Sequence, residues 1–74
     1  SDTANIGSVV KVQKIGDKEA KVYKIVGSEE ADMASGKISN LSPIGSSILG
    51  KKEGEKFSFN TPKGEVTYSL ISIE

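Results

Sequence analysis

The chain has 74 residues, and ten lysines balance ten acidic residues, so its net charge at pH 7 is zero and we expect little direct binding to nucleic acid. It contains no cysteine, histidine, tryptophan or arginine, which excludes disulfides, thiolate or Ser-His nucleophiles and imidazole metal sites. Composition therefore favours one small domain that is not an enzyme and needs no cofactor.

The composition of the first residues is typical of a linker. Residues 1–7 are mostly small or polar and lack the basic and apolar parts of a signal peptide. No later apolar run approaches the roughly 20 residues that span a bilayer. We expect residues 1–7 to be a linker or the trimmed edge of a longer protein. Residues 8–74 are expected to form a monomeric cytoplasmic domain without membrane contact.

The first predicted elements are two strands joined by a turn. Residues 8–15 are rich in β-branched side chains and place Val10 and Val12 on one face, as in a half-buried strand. A turn at residues 16–18 leads into residues 19–27, which predicts a hairpin.

The second of these strands has a mixed period. Val22 and Val26 fall on one parity, whereas Tyr23 and Ile25 fall on the other. A single regular strand cannot bury both sets on one face. The pattern predicts either a bulge or burial of both faces near Val22.

A polar loop and a short strand come next. Residues 28–37 are acidic and small, as suits a surface loop, and Ile38 and Leu41 follow as the apolar pair of a short strand. Carboxylates as dense as those of Glu29, Glu30 and Asp32 could ligate Mg²⁺ or Ca²⁺, but their spacing matches no EF-hand loop. A solvated or partner-facing loop is the favoured interpretation, and no metal site is assigned.

A short helix is predicted after this loop. Ser42 can accept a free backbone N–H, and Pro43 is suited to the first helical position. Ile44 and Ile48 lie one turn apart on the same face, and Gly50 supplies a left-handed exit.

The last elements form a second hairpin. Residues 55–61 place Phe57 and Phe59 inward in a clear period of two, residues 62–64 form a turn, and residues 65–74 return as the final strand. In that strand Val66, Tyr68 and Leu70 share one parity and Ile71 and Ile73 take the other. The change predicts a bulge near Leu70, or a final stretch covered on both sides. Together, the elements predict an α+β domain with an antiparallel sheet of four to five strands and one short helix on it.

A series of short motifs runs along the chain in a fixed order. They are Ile25-Val26-Gly27, Glu30-Ala31-Asp32, Ile38-Ser39, Ser42-Pro43-Ile44, Leu49-Gly50-Lys51, Thr61-Pro62 and Gly64-Glu65. In this order and spacing they closely resemble the C-terminal domain of the bacterial Gre transcript-cleavage factors, which act in transcription elongation. The resemblance covers residues 8–74 and implies an FKBP-like fold.

The resemblance also implies a partner, the coiled coil at the rim of the secondary channel of bacterial RNA polymerase. In the family, an N-terminal coiled coil enters that channel and its acidic tip holds a metal for cleaving backtracked RNA. Nothing in this chain corresponds to that coiled coil, so no catalytic residue is assigned. We expect docking through Glu30, Asp32, Ser42 and Pro43, because an acidic loop beside a helix start can meet basic residues of a partner.

Other functions stay open at this stage. The family often has an acidic or amide residue where this chain has Leu41, and alanine then arginine where it has Gly45 and Ser46. The same fold occurs in channel-binding inhibitors of polymerase and in regulators of nucleoside diphosphate kinase. A peptidyl-prolyl isomerase is a further alternative suggested by the fold alone, although the chain has few aromatic residues to line a prolyl pocket.

Overall fold

A computed structural model, which describes residues 2–74, contains a single five-stranded sheet and one short helix. The elements are β1 (Val9–Lys14), β2 (Lys21–Val26), β3 (Lys37–Ser39), α1 (Pro43–Ile48), β4 (Lys56–Thr61) and β5 (Gly64–Ile73). Single 3-10 turns at Ser28–Glu30 and Met33–Ser35 connect β2 to β3. The predicted α+β class and both hairpins are confirmed. In residues 2–74, no helix is long and apolar enough to cross a membrane.

The sheet has the strand order β3-β2-β1-β5-β4 and is mixed. β1–β2, β1–β5 and β4–β5 are antiparallel as predicted, whereas β2 and β3 pair in parallel. The parallel pair arises because residues 27–36 cross back from the end of β2 and place Lys37 beside Lys24. A parallel neighbour needs such a crossover, and here the 3-10 turns occupy it.

The sheet is curled around α1. The helix contacts both β3 and β4, which are the two edge strands. In a flat sheet those edges would lie four interstrand spacings apart, about 19 Å. The inner face and the helix therefore enclose one core, and this arrangement is consistent with an FKBP-like fold.

The core contains the residues that the alternating patterns place inward. Its buried members are Ala4, Val10, Val12, Ile25, Ile38, Ile48, Phe57 and Leu70. Phe59 and Tyr68 are partly buried, and their rings stack with a centroid distance of 5.6 Å. The same distance separates Tyr68 from Phe57. The inward orientation predicted for Phe57 and Phe59 is confirmed.

A bulge in β5 explains the change of parity near its end. Val12 pairs with Leu70, but Lys11 pairs with Ser72, so Ile71 is an extra residue opposite the β1 strand. The bulge returns Ile73 to the inner face beside Val10. The predicted bulge near Leu70 is confirmed.

The irregularity predicted near Val22 is wrong. β1 and β2 pair in an unbroken register, and Val22 is 52% exposed. Its side chain points to the outer face of the sheet because Lys11, its partner, lies between the inward residues Val10 and Val12. Burial on both faces does occur in β2, but at its end, where Ile25 and Val26 are both buried.

The segment before β1 contacts the domain directly. The backbone N–H of Ala4 donates to the Lys51 carbonyl, and the Ala4 carbonyl accepts from Gly50, both at 2.8 Å. The Ala4 side chain is fully buried, and Gly7 donates to the Ile25 carbonyl. Residues expected to be a linker thus cover the C-terminal end of α1, because a small apolar side chain in that segment fills the space there.

Candidate functional site

The first turn of α1 is fixed by one serine. Ser42 has extended backbone angles and occupies the N-cap position, and its Oγ accepts a 3.1 Å hydrogen bond from the Gly45 N–H. The same hydroxyl donates to the carbonyl oxygen of Ser39 at 2.7 Å. Pro43 occupies the first turn, where its missing N–H costs no hydrogen bond. The predicted helix start is confirmed, as is the exit at Gly50, where φ is +81°.

Gly45 permits the close approach of α1 to β3. A Cβ at this position would overlap the Ser39 carbonyl oxygen and lie 3.0 Å from Ser42 Oγ. Only glycine can therefore bring the helix this close to the end of the strand. Gly45 is buried, so the contact is part of the packed interior.

Ser39 links the helix start to the acidic loop. Its Oγ lies 3.1 Å from Ser28 Oγ, at the beginning of the first 3-10 turn, and accepts a 3.0 Å hydrogen bond from the Leu41 N–H. Sequence reasoning treated Ser39 only as part of a short strand. The three-residue spacing between Ser39 and Ser42 is the signal that could have identified this link.

Asp32 is attached to the other end of β3. It forms an antiparallel bridge with Lys37, and both backbone hydrogen bonds of the pair measure 2.9 Å. Its carboxylate accepts a 2.8 Å hydrogen bond from the Ser35 hydroxyl. Asp32 thus adjoins the first residue of β3, whereas Ser42 and Pro43 follow its last residue, so the short strand lies between the two groups.

Two further features of this surface concern its exposed side chains. Glu30 is exposed in the first 3-10 turn, and within residues 2–74 its carboxylate has no hydrogen-bond or ion-pair partner. Leu41 was expected in the short strand, but β3 ends at Ser39 and Leu41 is 75% exposed beside Pro43. The surface therefore combines an unpaired acid with exposed apolar groups.

The acids of the loop do not converge. In the described part of the chain, no three acidic side chains are grouped as metal ligands would be. Glu29 and Glu30 lie in the first 3-10 turn, whereas Asp32 bonds to Ser35 in the second.

An open depression of about 370 Å³ lies elsewhere, beyond the C-terminal end of α1. It is lined by Asp2, Lys52, Glu53 and Ile73. Glu53 accepts a 2.8 Å hydrogen bond from the Ile73 N–H, so that carboxylate already has a structural role. None of the residues predicted to form a site contributes to this depression.

Comparison with known sequences identifies a family over the whole chain. Residues 1–74 match the family described as transcription elongation factor, GreA/GreB, C-term. The chain is 42% identical over 72 residues to transcription elongation factor GreA of Desulfovibrio desulfuricans, covering 97% of this chain and 44% of that protein. It is 44% identical over 73 residues to GreA of Streptococcus pneumoniae serotype 19F, covering 99% and 46%. The chain thus spans less than half the length of these relatives.

Solved structures show the same architecture. The transcription factor Gfh1 matches with a TM-score of 0.86 and 30% identity, over 100% of this chain and 49% of that one. Gfh1 of Thermus aquaticus matches with a TM-score of 0.85 and 31% identity, over 99% and 48%. A GreA/GreB elongation factor from Nitrosomonas europaea shares the fold, with a TM-score of 0.77 at 24% identity over 99% and 62%.

Proposed function

Because this chain belongs to the family of C-terminal domains of GreA/GreB transcription elongation factors, we propose that it docks its parent factor on bacterial RNA polymerase in the cytoplasm. The contact is with the coiled coil at the rim of the secondary channel. The cleavage of backtracked RNA is promoted by an N-terminal coiled coil outside this chain, and the domain itself performs no catalysis. It works as a monomer and contributes little direct nucleic-acid binding.

One observation carries the proposed docking surface. Support for it comes from β3, which is joined to the acidic loop by the Asp32–Lys37 bridge at one end and to the start of α1 by the Ser39–Ser42 hydrogen bond at the other. We infer that residues on both sides of the short strand act as one surface. We define the docking surface as Glu30, Asp32, Ser42 and Pro43.

The chemistry of this surface suits a basic helical partner. The unpaired carboxylate of Glu30 is available to a lysine or arginine of the coiled coil, and it would attract such a partner before contact. Pro43 presents a stiff apolar surface at the helix start, which limits the entropy lost on binding. Exposed Leu41 extends that apolar area.

The test is competition with a full-length GreA factor for core RNA polymerase, using the domain and charge-reversed variants. We expect Glu30→Lys and Asp32→Lys to slow association, with a deficit that shrinks as salt rises, since exposed charges are screened over about 8 Å at physiological ionic strength. Glu19→Lys is the matched control, an exposed acid in the turn between β1 and β2. Equal effects of Glu19→Lys and Glu30→Lys, with all folds intact, would refute the docking surface.

Experiments can distinguish two alternative functions from the docking of an elongation factor. The structural likeness to Gfh1 favours a polymerase-binding transcription regulator as the second candidate. Transcript cleavage by the full-length parent on stalled polymerase distinguishes rescue from inhibition. For an isomerase, a proline-peptide assay should show no activity, because the rings of Phe57, Phe59 and Tyr68 stack on one another at the core.

A further inference from the structure

The outer face of the sheet, opposite α1, carries a row of lysines. Val10 and Val12 point to the core, so Lys11 between them points outward. Residues directly opposite each other in neighbouring strands share a face. Because Lys24 pairs with outward Val9 and Lys37 pairs with Lys24, both of these lysines share the outer face.

This arrangement is unfavourable for the isolated domain. Lys24 and Lys37 are directly opposite, and like charges at such positions destabilise a sheet. In residues 2–74 no carboxylate is recorded as an ion-pair partner of Lys11 or Lys24, and Asp32, which faces Lys37, is hydrogen bonded to Ser35 instead. The chain has as many acids as lysines, yet within β1 to β5 this face carries one acid, Glu65, opposite Asn60 at the far edge, and Glu74 follows β5 beside Val9.

An exposed aliphatic side chain lies among these cations. Val22 is 52% exposed and faces Lys11 directly across the β1–β2 pair, with half-buried Val9 diagonal to it. We define the outer patch as Lys11, Val22, Lys24 and Lys37. The aromatic rings of β4 and β5 pack on the opposite, inner face.

The composition of the outer patch favours an acidic protein segment over nucleic acid as its anionic partner. Single-stranded nucleic acid binds to sheets through aromatic stacking as well as charge, and the strands of this face present no ring. A duplex is held by long-range attraction to many cations, and this protein has zero net charge. A short acidic segment needs only the local cations, and an aliphatic side chain on it can cover Val22.

We propose that the outer patch binds an acidic, amphipathic segment of a partner protein, whose carboxylates lie beside a stripe of aliphatic side chains. This contact adjoins the docking surface, because Lys37 forms a bridge with Asp32, but it does not depend on the proposed function. Lys11, Lys24 and Lys37 pair with the carboxylates, and Val22 contacts the aliphatic stripe. The like-charge repulsion between Lys24 and Lys37 is relieved when the segment binds.

The experiment measures binding of a synthetic helical peptide of about 20 residues, with glutamates on one face and leucines beside them, to the isotopically labelled domain. The expected result is chemical-shift change at Lys11, Val22 and Lys24, with weaker binding to a matched peptide whose leucines are replaced by serine. Lys24→Glu should lower peptide affinity about tenfold while its melting temperature stays the same or rises, because it removes the repulsion with Lys37. Val22→Ser tests the aliphatic contact and should weaken binding severalfold.

The controls determine whether peptide binding depends on the outer patch or only on the total charge of the domain. Lys63→Glu reverses an exposed lysine in the turn between β4 and β5 and should change peptide affinity less than twofold. An equal loss in Lys63→Glu and Lys24→Glu would overturn the proposal, as would shifts confined to other surfaces or no binding at low salt. A short DNA duplex that binds as tightly as the peptide and shifts the same amides would also overturn it, since the outer patch would then be a nucleic-acid surface.

Discussion

The hydroxyl of Ser42 donates a 2.7 Å hydrogen bond to the carbonyl oxygen of Ser39 and so joins the first residue before α1 to the last residue of β3. The same hydroxyl accepts from Gly45, which means that one oxygen orients the helix and fastens it to the strand. We expect that removal of the Ser42 hydroxyl weakens both the helix start and its attachment to β3.

Ser42→Ala should lower the free energy of unfolding by about 0.5–2 kcal/mol, the range for loss of an N-cap side chain. We expect the upper half of this range, because the Ser39 carbonyl also loses its shorter hydrogen bond and keeps the 3.1 Å bond from the Ser42 N–H. Urea denaturation followed by circular dichroism measures the change. Ser46→Ala is the control, since the Ser46 hydroxyl makes only a 3.3 Å hydrogen bond to Pro43 and the residue is exposed. A Ser42→Ala protein as stable as Ser46→Ala would contradict the role assigned to the cap.

Gly45→Ala is expected to be destabilising although alanine favours helices. The added Cβ would overlap the Ser39 carbonyl oxygen and force β3 and α1 apart, at a cost of about 1–3 kcal/mol or more. Gly27→Ala is the matched control, because Gly27 has φ −69° and no atom within 4 Å of an added Cβ. Thermal melting of the two variants should separate them clearly, and a Gly45→Ala melting temperature equal to that of Gly27→Ala would show that the helix can shift freely.

Phe57→Ala should cost about 3–5 kcal/mol, as expected for removal of a buried ring. Phe57 is 3% exposed and stacks on Tyr68, whereas Phe59 is only partly buried. Phe59→Ala should therefore cost less than Phe57→Ala in the same denaturation experiment. A larger loss for Phe59→Ala than for Phe57→Ala would contradict this assignment and place the more important ring contacts at Phe59.

Alkaline pH should destabilise the domain through Tyr68. Burial raises the pKa of Tyr68 above its ordinary value of 10.0, Tyr23 and Asp17 raise it further, and Lys21 opposes them. The folded state therefore holds the phenolic proton more tightly than the unfolded chain does. This contribution to stability is complete below pH 10 and is lost as pH rises through the higher pKa of the folded protein. The free energy of unfolding should therefore fall as pH rises through this range. The Tyr68→Phe variant should show a smaller fall.

Pro43→Ala should separate docking from folding. Alanine is well tolerated in the first turn of a helix, so we expect a change in stability below about 1 kcal/mol. The affinity for polymerase should fall severalfold more than the loss of folding stability can explain, because the stiff apolar surface at the helix start is lost. Calorimetric melting and competition for polymerase, performed on the same protein, give the two quantities. Retained affinity would exclude Pro43 from the interface.

Local sequence signals predicted those parts of the fold that depend on neighbouring residues. The alternation around Val10 and Phe57, the cap at Ser42 and the exit at Gly50 each follow from side-chain period or backbone preference within a few residues. The bulge in β5 was also visible, since only an inserted residue lets Leu70 and Ile73 share a face.

Features that depend on distant contacts were not predicted. Parallel pairing of β3 with β2 is determined by the path of the crossover, which no period in three strand residues can reveal. The burial of Ala4 depends on the C-terminal end of α1, where its backbone partners Gly50 and Lys51 lie far along the chain. For the candidate site, the residues expected from the sequence stay a prediction, and the hydrogen bonds by which Ser39 links Ser28 to Ser42 were not predicted.

The bulge at Ile71 lets the last strand carry one residue more than its partner without changing which side chains reach the core. Before the bulge, β5 is in register with β4, and beyond it the strand continues along β1 with the opposite parity. Deletion of this single residue would leave Ser72 on the outer face and Ile73 on the inner face, because both would then follow Leu70 in regular alternation. A relative that lacks one residue at this point can therefore keep the same interior with the same side chains at both following positions, in a strand without the bulge.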